Sequence, residues 1–372
     1  MAEAITFIRS DEQSMLASTV REFVEATGDL DRIREMSTTD SAIDRDLWTG
    51  LAEMGLIGLH IPEEYGGAGF GMMELAVVFE ELGRMVSPVP LLSSVLASTA
   101  ILKAGTDEQK RDLLPSIASG EVIATLAAYE NAHDSDPQAE LTTLTSDGDG
   151  FVLNGVKRYV TDGPNASLIV ATAATHDGEV LVAVGADAEG VTVTPTPSLD
   201  ATRPLGEIQF DGVQIDASAV MSGADAAVRA ALDLGVVALA QEQVGGAQRC
   251  LEASVEYAKT RFQFGRAIGS FQAVKHRCAD MLVAVEHAKS VAWHAARTLD
   301  DPEESRVSVP LARSVCSDAF VLCAGDNIQI HGGIGFTWEH DAHLYFKRAK
   351  STSLLLGSVD AYRDRLADVI GF

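Results

Sequence analysis

The sequence has few cysteines. Only four of the 372 residues are cysteine, and their spacing is not that of a metal-binding motif. They fall in helix-like segments, so we expect buried, reduced thiols, no metal site and a cytoplasmic protein. The four are Cys250, Cys278, Cys316 and Cys323.

Positive charge is also scarce. Lys and Arg number 28 against 54 Asp and Glu, which gives a formal net charge of -26 and a pI near 4.6. Such a chain repels phosphate backbones and anionic lipid, so nucleic acid and membrane are excluded as expected partners. A small phosphorylated ligand remains compatible, provided that local Arg or Lys side chains offset the field.

Long apolar runs are missing as well. Hydrophobic residues make up 47% of the chain, yet no run reaches the length that spans a bilayer. The first residues, MAEAITFIRSDEQ, lack a basic region followed by an apolar core, so we expect no signal peptide. The composition therefore predicts a large core shared by two or three domains.

What is present is a three-part pattern of helix, strand and helix. Residues 1–121 show helical periodicity and capping signals such as Ser10–Gln13, and residues 122–222 contain short β-rich runs separated by Gly, Asp and Pro. Residues 223–372 return to long helices whose broad apolar faces indicate a bundle. We therefore predict a mainly α protein with a middle β domain, divided at these boundaries.

One stretch stands out for its chemistry. Residues 235–268 begin as a helix that is apolar almost all round, interrupted by Glu242, and end on the cationic and aromatic turn RFQFGR. An acid in an apolar helix suits a group that abstracts a proton, because desolvation raises the pKa of a carboxyl. The competing interpretation is a core helix whose glutamate is paired with an Arg across the bundle.

Four motifs in order carry a family resemblance. Together with the domain order, they resemble the acyl-CoA dehydrogenase family of flavoproteins. The resemblance implies an N-terminal helical domain, a middle β-barrel or sandwich and a C-terminal four-helix bundle, usually in tetramers with FAD across a subunit boundary. The motifs are residues 61–67 (IPEEYGG), 157–163 (KRYVTDG), 261–265 (RFQFG) with Phe271 and Gln272, and 329–336 (QIHGGIGF).

The resemblance also implies roles in binding FAD. Arg261 would make charge-assisted bonds to the pyrophosphate, and Phe264 would pack on the adenine or ribose. Thr161 would bond near flavin N5, and Tyr159 would shield the ring face. The other implied cofactor residues are Gln272, Gln329, Gly332, Gly333 and Ser135. Each has an ordinary alternative, such as a surface ion pair, a helix stop or a core side chain.

Two departures from the family pattern concern the loop over the flavin and the catalytic base. Residues 128–136 (AYENAHDSD) lack the Thr, Pro and glycines that the family usually has there, which puts this chain's own FAD half-site in question. The usual base position is Leu356, which cannot take a proton. An alternative base position in the family aligns with Gly235, and Glu242 lies two helical turns further on. We predict that Glu242 is the base.

The function implied is the α,β-dehydrogenation of an acyl-CoA thioester to a trans-2-enoyl-CoA, with an electron-transfer flavoprotein as acceptor. The alternative is a partner subunit that completes a neighbour's FAD site without turning over itself. Some family members that act on steroid side chains form such mixed tetramers, and this chain resembles them. An oxidase of the same fold is a third, weaker possibility.

Overall fold

The computed structural model describes residues 9–39, 42–131, 141–148 and 150–372. It confirms a mainly α chain with one β region. The helices are α1 (Asp11–Thr27), α2 (Leu30–Met36), α3 (Arg45–Glu53), α4 (Met72–Arg84), α5 (Leu91–Ala104), α6 (Asp107–Ala118), α7 (Ala224–Thr260), α8 (Gln272–Thr298), α9 (Pro302–His331), α10 (Ala342–Thr352) and α11 (Val359–Ile370). The strands are β1 (Ala124–Ala127), β2 (Thr143–Asp147), β3 (Gly150–Thr161), β4 (Leu168–Thr175), β5 (Gly178–Gly185), β6 (Val191–Thr196), β7 (Leu205–Ile215), β8 (Val220–Ser222), β9 (Phe262–Gln263) and β10 (Arg266–Ala267).

Contacts divide the chain into two compact units. The first contains the described part of Met1–Arg34 together with Met72–Ser87 and Val236–Phe372, and the second contains Glu35–Gly71 and Pro88–Gly235. Helices from both the first and the last predicted segments occur in the first unit. The predicted boundaries at 121/122 and 222/223 stay a prediction.

The first unit is a set of packed helices around an apolar core. Met281 and Val285 on α8 and Phe320 and Cys323 on α9 are buried in this core. Helices α4 and α7 cross so closely that a Cβ on Gly245 would lie 1.9 Å from the carbonyl oxygen of Glu80. Glycine is therefore required at this crossing, because any side chain would meet backbone.

The second unit is built on one eight-stranded sheet. Its strand order is β6-β7-β3-β2-β4-β5-β8, with β1 pairing to β4. Most neighbours are antiparallel, but β1 and β2 each pair with β4 in parallel. Strands β2 and β3 form a hairpin around Gly148, in which Asp147 pairs with Gly150. Buried Leu153, Ile169 and Phe210 belong to its core.

The helix ends follow the capping signals with two exceptions. Ser10 and Thr106 each form a capping box at the start of α1 and α6. Helix α6 continues for three residues beyond Pro115, because the missing N–H of a proline removes only one helical bond. The acidic stretch at residues 300–305 is largely helical: Asp301 caps α9 and Pro302 takes its first position, where proline is tolerated.

All four cysteines are free, as expected; Cys278 is half-buried and the other three are buried. Burial raises the pKa of each thiol. Among the described helices, α9 alone is long and apolar enough to cross a membrane. However, 67% of its apolar window is buried, as in the core helix of a bundle.

Candidate active site

Glu242 lies in the fully buried part of α7, where residues 236–247 have almost no exposed surface. Its Oε1 accepts a hydrogen bond of 2.7 Å from Nη1 of Arg348 on α10, and the Arg348 side chain is only 1% exposed. Nη2 of Arg348 donates to the carbonyl oxygen of Val86 at 3.3 Å. This is the cross-bundle pair that the competing interpretation describes. The role of Glu242 as base stays a prediction.

Two buried residues, Val86 and Leu356, have strained backbones. Val86 has φ 45° and Leu356 has φ 60°, both in the left-handed region that side chains disfavour. The segment around Leu356 is held by Arg313, a fully buried residue of α9. Its Nη1 donates to the Thr352 carbonyl oxygen at 2.6 Å, and its Nη2 donates to those of Leu355 and Gly357 at 2.6 and 2.8 Å. The usual base position therefore keeps an ordered backbone although it carries leucine.

The predicted phosphate corner is an exposed hairpin of β9 and β10. Arg261 is exposed and makes no side-chain hydrogen bond or ion pair with any residue in the described ranges. Phe264 is 90% exposed with φ 53°. Its ring packs edge to face on Phe271, with 6.1 Å between the ring centroids. The Arg266 guanidinium carbon lies 4.1 Å from the centroid of the Phe271 ring. The Arg261 side chain and the Phe264 ring are thus both open to a ligand or to a second chain.

The predicted adenosine contacts are also on the surface of the first unit. Gln272 is the exposed first residue of α8, and Gln329 is exposed near the end of α9. Gly332 follows α9 with φ 65° and ψ -139°, a conformation essentially limited to glycine. A Cβ on Gly332 or Gly333 would meet nothing within 4 Å, so a ligand can approach this backbone.

In the second unit, strand β3 carries Tyr159 and Thr161. The pairing of β3 with β7 shifts between Lys157 and Val160, which marks a bulge. Tyr159 lies in this bulge with φ 54° and is 40% exposed. Thr161 is buried, and its carbonyl oxygen accepts a bond of 2.7 Å from the hydroxyl of Thr125. Ser135 lies outside the described residues.

A buried ion pair adjoins the bulge. Lys157 and Glu130 have side-chain exposures of 0% and 1%, and they are 2.8 Å apart. Glu130 also accepts bonds from the backbone N–H groups of Leu141 and Thr142. The bonds from Lys157 and the two amides hold the pKa of Glu130 down to about 2 against the opposing effect of burial.

These residues fit a bound FAD. A pyrophosphate needs a cation, which the unpaired Arg261 offers, and the adenosine needs a ring face and open backbone, which Phe264, Gly332 and Gly333 offer. All four of these residues lie in the first unit. Sequence reasoning missed Arg348, Arg313 and the pairing of Glu130 with Lys157, because nothing local in a sequence reports a partner many residues away.

The first unit also has a cavity of about 600 Å³ in which none of the predicted site residues takes part. Its charged groups are largely paired with each other, for example Arg84 with Glu252 and Arg9 with Glu80. Its lining residues are Arg9, Arg21, Glu80, Arg84, Gln248, Glu252, Glu286, Lys289, Ser290 and Trp293.

Family models match nearly the whole chain. The acyl-CoA dehydrogenase N-terminal domain matches residues 10–121, the middle domain residues 125–213 and the C-terminal domain residues 222–371. The chain is similar to acyl-CoA dehydrogenase IpdE2 of Mycolicibacterium smegmatis, with 36% identity over 94% of this chain and 95% of that protein.

Two solved structures of heteromeric complexes are similar as well. A chain of the ChsE4–ChsE5 complex from Mycobacterium tuberculosis has a TM-score of 0.90 and 30% identity, covering 98% of this chain and 99% of its own. A chain of the Tcur3481–Tcur3483 steroid ACAD, solved as a point variant, has a TM-score of 0.87 and 34% identity, covering 97% and 98%. This chain belongs to the acyl-CoA dehydrogenase family, FAD-dependent oxidoreductases that act on the CH–CH group of acyl-CoA thioesters.

Proposed function

We propose that this acyl-CoA dehydrogenase acts on a bulky, steroid-derived acyl-CoA as one subunit of a heteromeric tetramer. The single observation that carries the assembly is the corner at Arg261 and Phe264, an unpaired cation beside a ring that is 90% exposed. The similarity to a steroid ACAD and to the ChsE4–ChsE5 complex supports both the substrate class and the mixed assembly. A homotetramer would complete the same corner with a second copy of this chain.

Bound FAD supplies the acceptor for the hydride that leaves the β-carbon. The residues of this chain bind and orient it. Arg261 offsets the pyrophosphate charge, Phe264 covers the adenine or ribose, and the backbone at Gly332 and Gly333 admits close approach. The remaining contacts are assigned to Gln272, Gln329, Thr161, Tyr159 and Ser135.

For the α-proton, we propose Glu242 as the base of this chain. Nη1 of Arg348 donates to the Glu242 carboxylate at 2.7 Å, and the apolar helix around the carboxylate excludes water. The same ion pair has to loosen before Glu242 reaches a substrate. This requirement favours a second function. Position 356, where the family usually has the base, carries leucine, and Glu242 is paired with Arg348. In this second function the chain is a partner subunit whose neighbour supplies the base.

We propose an electron-transfer flavoprotein as the acceptor that reoxidises the flavin, and a cytoplasmic location for the chain. The three predicted domains, 1–121, 122–222 and 223–372, are proposed as its structural segments.

The test is the visible spectrum and the mass of the purified chain, alone and after co-expression with a homologous acyl-CoA dehydrogenase chain. Only after co-expression do we expect a flavin band at about 450 nm and a species of four chains. Flavin bound by the chain alone would instead support the self-sufficient enzyme. A stable monomer of 39.4 kDa under both conditions would contradict the shared site.

A further inference from the structure

Lys157 and Glu130 form a buried ion pair in the β domain, and each charged group has several hydrogen-bond partners. Lys157 Nζ lies 2.8 Å from Glu130 Oε1 and 2.7 Å from the hydroxyl of Thr172, with the Ala128 carbonyl oxygen at 3.4 Å. Each oxygen of the Glu130 carboxylate also accepts a backbone N–H, from Thr142 at 2.9 Å and from Leu141 at 2.8 Å. Both charges are therefore met by several partners in a site without exposed surface.

Stability alone is a weak reason to bury such a pair. Removing two charges from water is costly, and well-packed apolar residues of similar volume often replace a buried ion pair without loss. What an apolar pair cannot do is hold backbone groups at fixed positions. The parts of the chain that this pair holds therefore indicate its role.

The pair holds strand β3, which carries Tyr159, together with the backbone at Leu141 and Thr142. Through its carboxylate, Glu130 joins the chain before residues 132–140 to Leu141 and Thr142 after them, eleven and twelve positions away. Lys157 is the last residue of β3 paired to β7 before the bulge that carries Tyr159. The ion pair thus ties the start of the Tyr159 bulge to the backbone at Leu141 and Thr142.

The bulge is fixed on its other side as well. Beyond Tyr159, the Thr161 carbonyl oxygen is bonded to Thr125. Within the bulge, the Arg158 N–H donates to the Tyr129 carbonyl oxygen at 2.8 Å, and the Arg158 guanidinium donates to the Glu130 carbonyl oxygen at 3.1 Å. Tyr159 can hold its left-handed φ of 54° because these contacts determine the backbone on either side.

We propose that Lys157 and Glu130 are positioning residues for the flavin, which fix the Tyr159 bulge without touching the cofactor. The inference rests on the proposed FAD half-site of the second unit. It predicts that the pair controls flavin affinity and ring environment more than it controls folding.

The test compares the assembled parent enzyme with the double variant Lys157→Met/Glu130→Gln, which removes both charges together. Flavin is removed from each protein and titrated back, and the thermal midpoint and the fluorescence of the bound flavin are measured. We expect a dissociation constant at least tenfold higher in the double variant. We also expect brighter bound flavin, because a displaced Tyr159 quenches it less; Tyr159→Leu gives the reference.

The matched control is Val182→Ala, which opens a small cavity in the core of the same sheet without touching the bulge. It should lower the thermal midpoint and leave flavin affinity within about twofold of the parent. A double variant whose flavin affinity and fluorescence match this control would overturn the proposal. If the double variant does not fold, Glu130→Asp decides by the same criterion, since it keeps the charge but shortens its reach.

Failure of the inference is distinguishable from failure of the proposed function. If the parent binds flavin and the variants bind it equally well, the positioning role is wrong and the FAD site stands. If the parent binds no flavin, alone or co-expressed, both are wrong.

Discussion

Arg348 and Glu242 form a buried ion pair of 2.7 Å, and the same guanidinium holds the carbonyl oxygen of Val86. Three segments thus meet at one cation: α7 through Glu242, α10 through Arg348, and the turn after α4 through Val86. The pair also lies near the close crossing of α4 and α7, since a Cβ on Gly83 would come within 2.1 Å of the Glu242 carbonyl oxygen. The carboxylate proposed for proton abstraction is therefore also part of the packing.

Replacing Glu242 by Gln separates the two roles. Gln keeps the shape and a hydrogen bond to Arg348 but cannot act as a base. We expect normal FAD content and assembly, with turnover reduced by several orders of magnitude in steady-state assays with acyl-CoA. A rate near that of the parent, with any partner chain present, would show that Glu242 is structural and that the base comes from elsewhere.

The control for this experiment is Arg348→Met. It leaves a buried carboxylate without its partner, which typically costs about 3–5 kcal/mol. The double variant Glu242→Gln/Arg348→Met should recover much of that stability in chemical denaturation. If stability recovers but turnover does not, the low activity of Glu242→Gln comes from loss of the base and not from loss of folding.

Replacing Arg261 by Ala should weaken FAD retention far more than folding. Loss of a bidentate, charge-assisted contact is expected to cost about 2–3 kcal/mol, or about a hundredfold in affinity. Flavin occupancy after gel filtration measures this, with Arg229→Ala as a control for the change in net charge. Arg229 is an exposed residue of α7 that pairs with Asp225. Equal occupancy in Arg261→Ala and the parent would refute the assignment.

Replacing Gly245 by Ala should destabilise the first unit strongly. The new Cβ would lie 1.9 Å from the Glu80 carbonyl oxygen, so α4 and α7 must move apart. Overpacking of this kind typically costs about 1–3 kcal/mol or more in the free energy of unfolding. Gly325→Ala is the matched control in α9, since its Cβ meets nothing within 4 Å. It should stabilise the helix by about 0.5–1 kcal/mol, and a similar effect of both substitutions would contradict the close crossing.

Lowering the pH should destabilise the folded chain because of His60. Burial lowers its pKa to about 4 from an ordinary 6.5, and its Nε2 lies 2.9 Å from the hydroxyl of Ser98. Between pH 6.5 and 4 the unfolded chain binds a proton that the folded chain does not, so the folded state loses stability as the pH falls. The loss amounts to about 2–3 kcal/mol across this window. His60→Gln should flatten this part of the curve of unfolding free energy against pH; an unchanged slope would refute the assignment.

The order of elements was predictable from local signals. The capping boxes at Ser10 and Thr106 and the long helices after residue 223 follow from short patterns. The exposed corner at Arg261 and the glycines after α9 also lie where their motifs indicated. The strands within residues 122–222 were predicted only as β-rich runs, because several of them are short and lack a clear alternation.

The partners inside the site were not predictable in the same way. Arg348 lies 106 residues after Glu242, and Lys157 lies 27 residues after Glu130. No periodicity connects such positions, and the polarity of each residue alone is equally consistent with the surface. Only the folded chain shows that these four charges are buried and that each pair is matched.

The segment after α10 keeps its shape through Arg313, whose donors bind three carbonyl oxygens around Leu356. None of these bonds involves the Leu356 side chain. The loop backbone is thus held without the Leu356 side chain, so its geometry does not depend on the residue type at position 356. The Arg313 bonds would therefore hold the same loop backbone whether position 356 carries leucine or a carboxylate.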